Sequence, residues 1–338
     1  MNKVPAVWFP TVRTGTGSDV FTTQLVDALV EQGLRAEIAW LPLRAEYAPW
    51  SVRIPRPPAW ANISHVNTWL HPRFIPKTLP MVATLHHAIH HPAVKAHKGL
   101  IRAIYHRHWI ARNERRVMKK ANQIVAVSYF AAQTAANNLI DLPIDVIYNG
   151  VNTQLFRPAQ RARHHGVPFR ILYLGSWKKL KGVDLLAPIM RELGDGFELV
   201  FTGGPAASKE ISSMPPNMRN IGRLNDEEAV VAALLNVDVL IVPSRSEGFG
   251  LVAAEAMACG LPVVATNCPS LAEVVEHEVT GLLCNANDVM SFANAIRLIC
   301  KEKSLHETMS RKGILRAKKL FNLKTNVGKY INEYSRLL

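Results

Sequence analysis

The chain has 338 residues, 48% of them hydrophobic and 20% charged, with 40 Lys and Arg against 26 Asp and Glu. That length allows two α/β domains of roughly 150 residues, each with its own core, and the composition is that of an ordinary globular protein. No run of about 18 uninterrupted apolar residues occurs, which excludes a membrane-spanning helix. The first ten residues lack the basic and long apolar parts of a secretion signal, so a cytoplasmic location is expected. Cys259, Cys268, Cys284 and Cys300 are scattered without a C-x-x-C pair and are expected to be reduced core thiols, with neither a disulfide framework nor a zinc site.

In chain order, the first half reads as one Rossmann-type unit. Residues 3–9 form a first strand, and Ser18 or Asp19 is placed to cap a helix whose apolar positions Phe21, Leu25, Leu29 and Val30 recur at helical spacing before Gly33. A second strand follows at 36–41. The proline-rich stretch 49–58 reads as a surface loop. Strands at Met81–Leu85, 124–127 and 145–147 alternate with helical stretches, which argues for a parallel sheet. The polar, basic run 155–168 reads as a hinge. Beyond it come strands at 170–175, 197–203 and 237–242. A helix is opened by Asn225 with Glu228 three residues on, Ser270 and Glu273 repeat that capping box, and Asp288 caps a helix through Ile299. The tail 304–338 reads as two or three helices. The expected division is 1–158, 159–320 and 321–338, with the two Rossmann-like domains facing a central cleft and ligands at the carboxyl ends of the strands.

The net charge of +14 is uneven: residues 1–150 hold 17 Lys and Arg against eight acids, and residues 151–338 hold 23 against 18. The excess concentrates at 95–120, where nine basic residues meet one acid, Glu114, among Ile101, Ile104, Tyr105, Trp109 and Ile110. As a helix, this segment would present aromatics and cations together, which suits peripheral contact with an anionic membrane or a lipid diphosphate carrier. The alternative is a solvated basic helix packed by its apolar side. No helix-turn-helix, zinc module or RNA-binding aromatic motif is present, so no nucleic-acid partner is expected.

The densest chemistry lies at 247–255, EGFGLVAAE, after the apolar run 237–242 and before AMACGLPVVAT. Strand, Gly-containing turn, short helix and second strand within about thirty residues is how an α/β domain builds a phosphate-binding corner. Gly248 and Gly250 let a ligand approach the amides of Phe249, Gly250 and Leu251, which open a helix running to Cys259 and have no intrahelical partner there. A diphosphate fits that need. Glu247, before the first turn, and Glu255, just over one turn inside, can accept hydrogen bonds from two hydroxyl-rich parts of one ligand, as in the hexose and ribose of a nucleotide sugar. Gly15 and Gly17 lie in a turn after the first strand. That turn resembles a dinucleotide fingerprint loosely, since the third glycine is replaced by Val20.

EGFGLVAAEAMACGLPVVAT, followed by SLAEVVEHEVTGLL, resembles the signature of family 4 retaining glycosyltransferases of the GT-B fold (glycosyl transferases group 1), whose two glutamates are separated by seven residues. Weaker pieces match in order: the loop 13–18, Ala83-Thr84-Leu85-His86, Val125-Ala126-Val127-Ser128, Ile147-Tyr148-Asn149-Gly150-Val151, Tyr173-Leu174-Gly175 with Lys181-Gly182, and Phe201-Thr202-Gly203-Gly204. The resemblance implies a two-domain GT-B enzyme with the donor on the second domain, the acceptor on the first, and the last helix returning to the first.

It further implies that Lys181 meets the donor diphosphate, whose charge grows as the sugar–phosphate bond breaks, and that His86 contacts the donor sugar, stabilising charge or donating a hydrogen bond. Glu247 would hold the sugar and Glu255 the ribose. Two positions depart from the family: Ser176 stands where Arg is usual, leaving Lys178 or Lys179 to supply charge, and His87 stands where Asp is usual. Arg223 and Leu224 are assigned contacts to the base, and Gly15 and Gly17 an approach to donor phosphate or acceptor. His86 with His90, or His87 with His91, would share a face as zinc pairs do if that segment were helical, yet no third ligand is visible, and no metal or cofactor is expected. The implied function is transfer of a hexose from a UDP- or GDP-sugar to a glycan or lipid-linked acceptor, in cell-surface polysaccharide or lipopolysaccharide synthesis, by a peripheral protein of the inner membrane face. A non-catalytic GT-B scaffold and a nucleotide-sugar epimerase are the alternatives.

Overall fold

The protein is described by a computed structural model that covers residues 3–87, 89–91, 100–159, 168–208, 210 and 213–338. Two compact units emerge: Met1–Gly150 with Leu323–Leu338, and Val151–Asn322. The division falls at Gly150, ahead of the expected hinge, and residues 160–167 of that hinge lie outside the described residues.

The first unit holds a six-stranded parallel sheet in the order β2-β1-β3-β4-β5-β6, with β1 Ala6–Val12, β2 Arg35–Leu41, β3 Ile63–Asn67, β4 Met81–Leu85, β5 Gln123–Ala126 and β6 Asp145–Val146. β1 starts later than expected and runs through Pro10. That is tolerated because pairing with β3 ends at Trp8 opposite Ser64, so the proline's missing donor costs no ladder bond on that side. β3 was not expected, because Ser64, His65 and Asn67 break its apolar pattern. All five of its residues are nevertheless buried. His65 is satisfied at both ring nitrogens, 2.6 Å from the Tyr334 hydroxyl and 2.7 Å from Thr84 Oγ1, and Asn67 Nδ2 donates to Thr11 Oγ1 at 2.8 Å.

Tyr334 belongs to the last helix, Leu323–Ser335, which packs Val327, Tyr330 and Tyr334 with Phe9, Phe21, Leu25 and Ile63 in the first unit's core. The return of the tail that the resemblance implied is thus present, as the second of two C-terminal helices after Lys303–Leu320. The basic segment is helical at Leu100–Tyr105 and Ala111–Met118, joined by a π turn at His106–Ile110. Residues 92–99 lie outside the described residues. Within 49–58 only Pro49–Ser51 forms a 3-10 turn, after a short helix at Arg44–Tyr47.

The second unit repeats the design in the order β12-β11-β10-β7-β8-β9: β7 Phe169–Tyr173, β8 Phe197–Phe201, β9 Met218–Asn220, β10 Val239–Val242, β11 Val263–Thr266 and β12 Gly281–Cys284. Helices on both faces bury the sheet, which is why β10 and β11 read as unbroken apolar runs. Asp226 caps Glu227–Leu235, in place of Asn225, by accepting from Ala229 N at 2.8 Å. Ser270 is buried inside Pro269–Val274 and Cys268 stands at its N-cap. Asp288 caps as expected, accepting from Ser291 N at 3.0 Å. Three cysteines are buried, whereas Cys300 is exposed and is no core thiol. No helix among the described residues is long and apolar enough to cross a membrane.

Burial depresses the His65 pKa from 6.5 to about 3, so His65 is neutral in the fold while the unfolded chain protonates below 6.5. The folded state then binds fewer protons than the unfolded one, and stability falls as pH drops from 6.5 towards 3. Urea midpoints measured between pH 8 and 5 should therefore decline on the acid side. In His65→Gln that decline should be shallower.

Candidate active site

In the second unit, the strand order reverses between β7 and β10, and their carboxyl ends are where an open parallel sheet leaves a crevice. Two connections start there. After β7 the chain reaches a 3-10 turn at Lys179–Lys181, and after β10 it reaches Glu247. Lys181 Nζ donates to both oxygens of Glu247, at 2.6 and 2.7 Å, with the carboxylate 13% and the lysine 30% exposed. Two sequence-predicted groups separated by 66 residues are thus one ion pair.

The approach that allows this pairing rests on Gly182. Its φ is +72°, and a Cβ there would sit 2.0 Å from the Pro243 carbonyl oxygen at the end of β10. Only glycine lets the two connections lie against one another.

A second brace, which sequence reasoning missed, is Arg245. It grips Asp184 with both terminal nitrogens at 2.7 and 2.8 Å, donates from Nε to Asn287 at 2.7 Å, and bonds the Lys179 carbonyl. Its own amide donates to Leu180 O at 3.0 Å. The paired guanidinium holds the Asp184 carboxyl below its usual range. Arg245 therefore clamps the turn that carries Lys181 to the strand end that carries Glu247. The available signal was its place two residues before Glu247.

The turn after Glu247 leads into the helix Leu251–Ala258 through Gly250, at φ +97°, where a Cβ would meet the Leu271 side chain at 2.6 Å. The amides of Leu251 and Val252 open this helix outside its internal ladder, as an anion site requires. The Phe249 side chain turns inward, buried against the Phe321 ring at 5.3 Å, and points away from the turn it was expected to serve. Glu255 is buried on the same helix, where desolvation and Glu227 raise its pKa to about 8. At neutral pH it holds its proton and can donate as well as accept a hydrogen bond.

Ser176 is exposed, and its carbonyl accepts from the Tyr173 hydroxyl at 3.0 Å. Lys178 and Lys179 are exposed nearby in the chain. Arg223 and Leu224 follow Gly222, at φ +75°, between β9 and the helix Glu227–Leu235, and neither bonds the Lys181–Glu247 pair.

In the first unit, His86 directly follows β4 and is partly buried, edge-on to Phe21 at 4.5 Å and to Trp69 at 5.6 Å. Asn67 donates from Nδ2 to Thr11, so its Oδ1 faces His86 Nε2 at 2.8 Å and requires that nitrogen to carry the proton. Burial first, then His87 and His65, hold the His86 pKa well below 6.5. The imidazole is neutral, with its lone pair on Nδ1.

His87 stacks on Trp69 at 5.2 Å, and His90 bonds the buried Glu114 at 2.5 Å. Residues 87 and 89–91 are not helical, so His87, His90 and His91 lack the helical spacing expected of zinc pairs, and among the described residues no group of three or more His, Cys, Asp or Glu could hold a metal. In the turn after β1, Gly15 adopts φ +68°, but the amides of Thr14 and Gly15 donate to Asp19 at 2.8 and 2.7 Å. Asp19 thus reaches back to the turn from inside the helix Gly17–Glu31, whose N-cap is Thr16, and not Ser18 or Asp19. An open depression of about 680 Å³, lined by Tyr129, Gln133, Asp145, Lys329, Asn332 and Glu333 among others, lies in the first unit and includes none of the predicted site residues.

Comparison with known proteins bears on what this arrangement is. The family described as glycosyl transferases group 1 matches residues 159–316, and Glycosyltransferase Family 4 matches residues 15–155, so together they account for nearly the whole chain. The chain belongs to the GT-B glycosyltransferases of group 1 and family 4. Among curated relatives, it is 34% identical over 215 residues to a D-inositol 3-phosphate glycosyltransferase of Acidothermus cellulolyticus, covering 54% of this chain and 48% of that protein. It is 32% identical over 196 residues to an uncharacterized glycosyltransferase of Methanocaldococcus jannaschii, covering 57% and 54%. The chain spans about half the length of these relatives. Among solved structures, the sucrose-phosphate synthase of Thermosynechococcus elongatus is similar with a TM-score of 0.79 at 20% identity, over 98% of each chain. The Anabaena protein HepE, in complex with UDP and glucose, is similar with a TM-score of 0.73 at 16% identity, over 98% of this chain and all of that one. These similarities establish the two-domain GT-B fold.

The Arg245 clamp makes a direct prediction. Arg245→Ala removes a bidentate pair and the bonds that hold the turn, which should cost about 1–3 kcal/mol and lower the melting temperature by several degrees. Because the turn carries Lys181, nucleotide affinity measured by calorimetry should fall as well. Arg245→Lys should restore little of either, since an ammonium cannot reproduce the fork.

Proposed function

We propose that this chain is a retaining hexosyltransferase that moves a sugar from a nucleotide diphosphate donor to a hydroxyl of a glycan or lipid-linked acceptor, in the synthesis of a cell-surface polysaccharide. The observation that carries the reading is the Lys181–Glu247 pair, set at the reversal point of the second sheet beside the amide-lined start of the helix Leu251–Ala258. A lysine held by a carboxylate stays fixed, and a fixed cation stabilises charge that develops on a departing phosphate without reorganising.

In the proposed reaction the bond between the sugar's C1 and the phosphate oxygen breaks, and its electron pair leaves with the nucleoside diphosphate. Lys181 receives that charge together with the amides at the helix start, among which Leu251 belongs to the expected set of Phe249, Gly250 and Leu251 and opens the helix outside its internal ladder. The acceptor hydroxyl attacks C1 on the face the leaving group vacates and passes its proton to the departing phosphate. Glu247 accepts hydrogen bonds from the sugar, and the protonated Glu255 exchanges hydrogen bonds with the ribose hydroxyls. In the first unit, the neutral His86 is assigned a sugar contact of its own, with Nδ1 as an acceptor. A UDP- or GDP-sugar is the expected donor, a choice in keeping with the UDP seen in HepE. No metal takes part in any of these steps.

Glu247→Ala should abolish transfer, by roughly a hundredfold or more, with the fold intact, since Lys181 is exposed enough to be solvated once its partner is gone. Release of nucleotide from UDP-, GDP- and ADP-sugars, paired with thermal shifts, measures both; normal turnover by this variant overturns the assignment. Wild-type nucleotide binding without turnover on any acceptor would make the protein a scaffold instead. Transfer should also persist in excess EDTA, with kcat/KM unchanged.

A further inference from the structure

The open depression of about 680 Å³ in the first unit contains no residue assigned to transfer, and its volume falls within the roughly 300–1,000 Å³ of ligand pockets. It lies where the sheet ends. β6 is the edge strand, paired with β5 alone, and its two faces belong to different parts of the core. Ile147 packs with Val327 and Tyr330 of the last helix, whereas Ile144 packs against Ala131 and Ala135 of the helix Tyr129–Asn138. The depression thus follows the open edge between two helices. Because Ile147 N donates to Ala126 O at 3.0 Å and amide directions alternate along a strand, Val146 turns its N–H and C=O outward, away from β5.

The side chains that line it are polar and largely unengaged. Lys329, Asn332, Glu333 and Arg336 recur at i, i+3, i+4 and i+7 and so share one face, while Tyr129 and Gln133, at i and i+4, share another across the strand edge. Glu333 is only 8% exposed. Its Oε1 accepts from Arg336 Nη1 at 2.8 Å, and its Oε2 is buried with no hydrogen-bond partner. A carboxylate oxygen without a donor is a position that a ligand hydroxyl completes. Asp145 accepts from Gln123 Nε2 through Oδ2 at 2.5 Å, and Gln133, Lys329 and Asn332 are exposed with no side-chain hydrogen bond among the described residues. The Tyr129 ring, 65% exposed, adds an aromatic surface.

We propose that this depression is a carbohydrate-binding site apart from the residues assigned to transfer, and that it holds a neutral saccharide against the Tyr129 ring with its hydroxyls bonded to Gln133, Asp145, Asn332 and Glu333. The chemistry of the lining selects that ligand. Two cations, Lys329 and Arg336, are matched by two acids, Asp145 and Glu333, so no net charge is present to draw a phosphate or another anion. A purely apolar ligand would strip water from these groups and return no hydrogen bond. An extended peptide would need a longer edge, since β6 spans two residues and offers one outward N–H and one outward C=O. A saccharide supplies many hydroxyls, each both donor and acceptor, and an apolar ring face for the tyrosine. The inference does not rest on the transfer reaction. β6 stands two strands away from β4, the strand whose end carries His86.

Saturation-transfer NMR and calorimetry on the full chain with maltotetraose, cellotetraose and mannotetraose test it. At least one of them should bind, with an affinity that does not change between about 0.05 and about 0.5 M salt, since the ligand is uncharged. Tyr129→Ala and Asn332→Ala should each weaken binding roughly tenfold with unchanged melting temperature, because both side chains are exposed. His86→Ala and Glu247→Ala should bind the oligosaccharide as the wild type does. Absence of binding by all three oligosaccharides overturns the proposal, and so does wild-type binding by Tyr129→Ala and Asn332→Ala. Loss of binding in His86→Ala or Glu247→Ala would put the saccharide at the transfer residues instead and overturns it too. A site that inorganic phosphate empties is an anion site, which is equally fatal. A chain that binds oligosaccharide here but transfers no sugar keeps this inference and loses the catalytic one.

Discussion

The second unit depends on one close approach: the connection after β7 lies against the end of β10, so that Lys181 and Glu247 form a two-pronged ion pair. The sheet order creates the opportunity, because the chain leaves β7 on one side and returns to β10 on the other. Gly182 permits the contact sterically, and Arg245 holds it from behind through Asp184, Asn287 and the Lys179 carbonyl. With the lysine 30% exposed, the pair itself contributes little to stability. Its importance is positional, for it sets a cation and a carboxylate at the mouth of a turn whose following amides have no partner in the helix they open.

The first unit solves a different problem, how to keep polar groups in the middle of a sheet. His65 is neutral because it is buried and bonded at both nitrogens. His86 is neutral because burial and neighbouring imidazoles oppose its charge, and its tautomer is set at a distance: Thr11 orients Asn67, and Asn67 fixes the proton on Nε2. That relay runs from β1 through β3 to the end of β4. It leaves Nδ1 as the ring nitrogen that can accept a hydrogen bond.

Much of this was legible beforehand where the pattern and the physics agree. β4 and β10 are short apolar runs, the helix after Gly250 opens behind a glycine, and the two glutamates stood out by their spacing. The reading failed where polar residues serve the core. β3 was invisible because the partners that satisfy His65 and Asn67 come from positions as distant as Tyr334 and Thr11. Asp226 displaced Asn225 as a cap by a single residue, a difference that propensity does not resolve since both side chains accept well. The Arg245 clamp, like the meeting of Lys181 with Glu247, is a tertiary fact: its partners Asp184 and Asn287 lie 61 and 42 residues away, so its place before Glu247 was the one cue and did not reveal the clamp.

The helix Leu323–Ser335 completes the first unit's core with Val327, Tyr330 and Tyr334, although some 170 residues of the second unit separate it from the rest of that core. During synthesis from the amino end, the second unit has all its strands out of the ribosome while the first still lacks one wall. The first unit to be translated is therefore closed only after the second is out, and His65 waits with an unmet ring nitrogen until Tyr334 arrives.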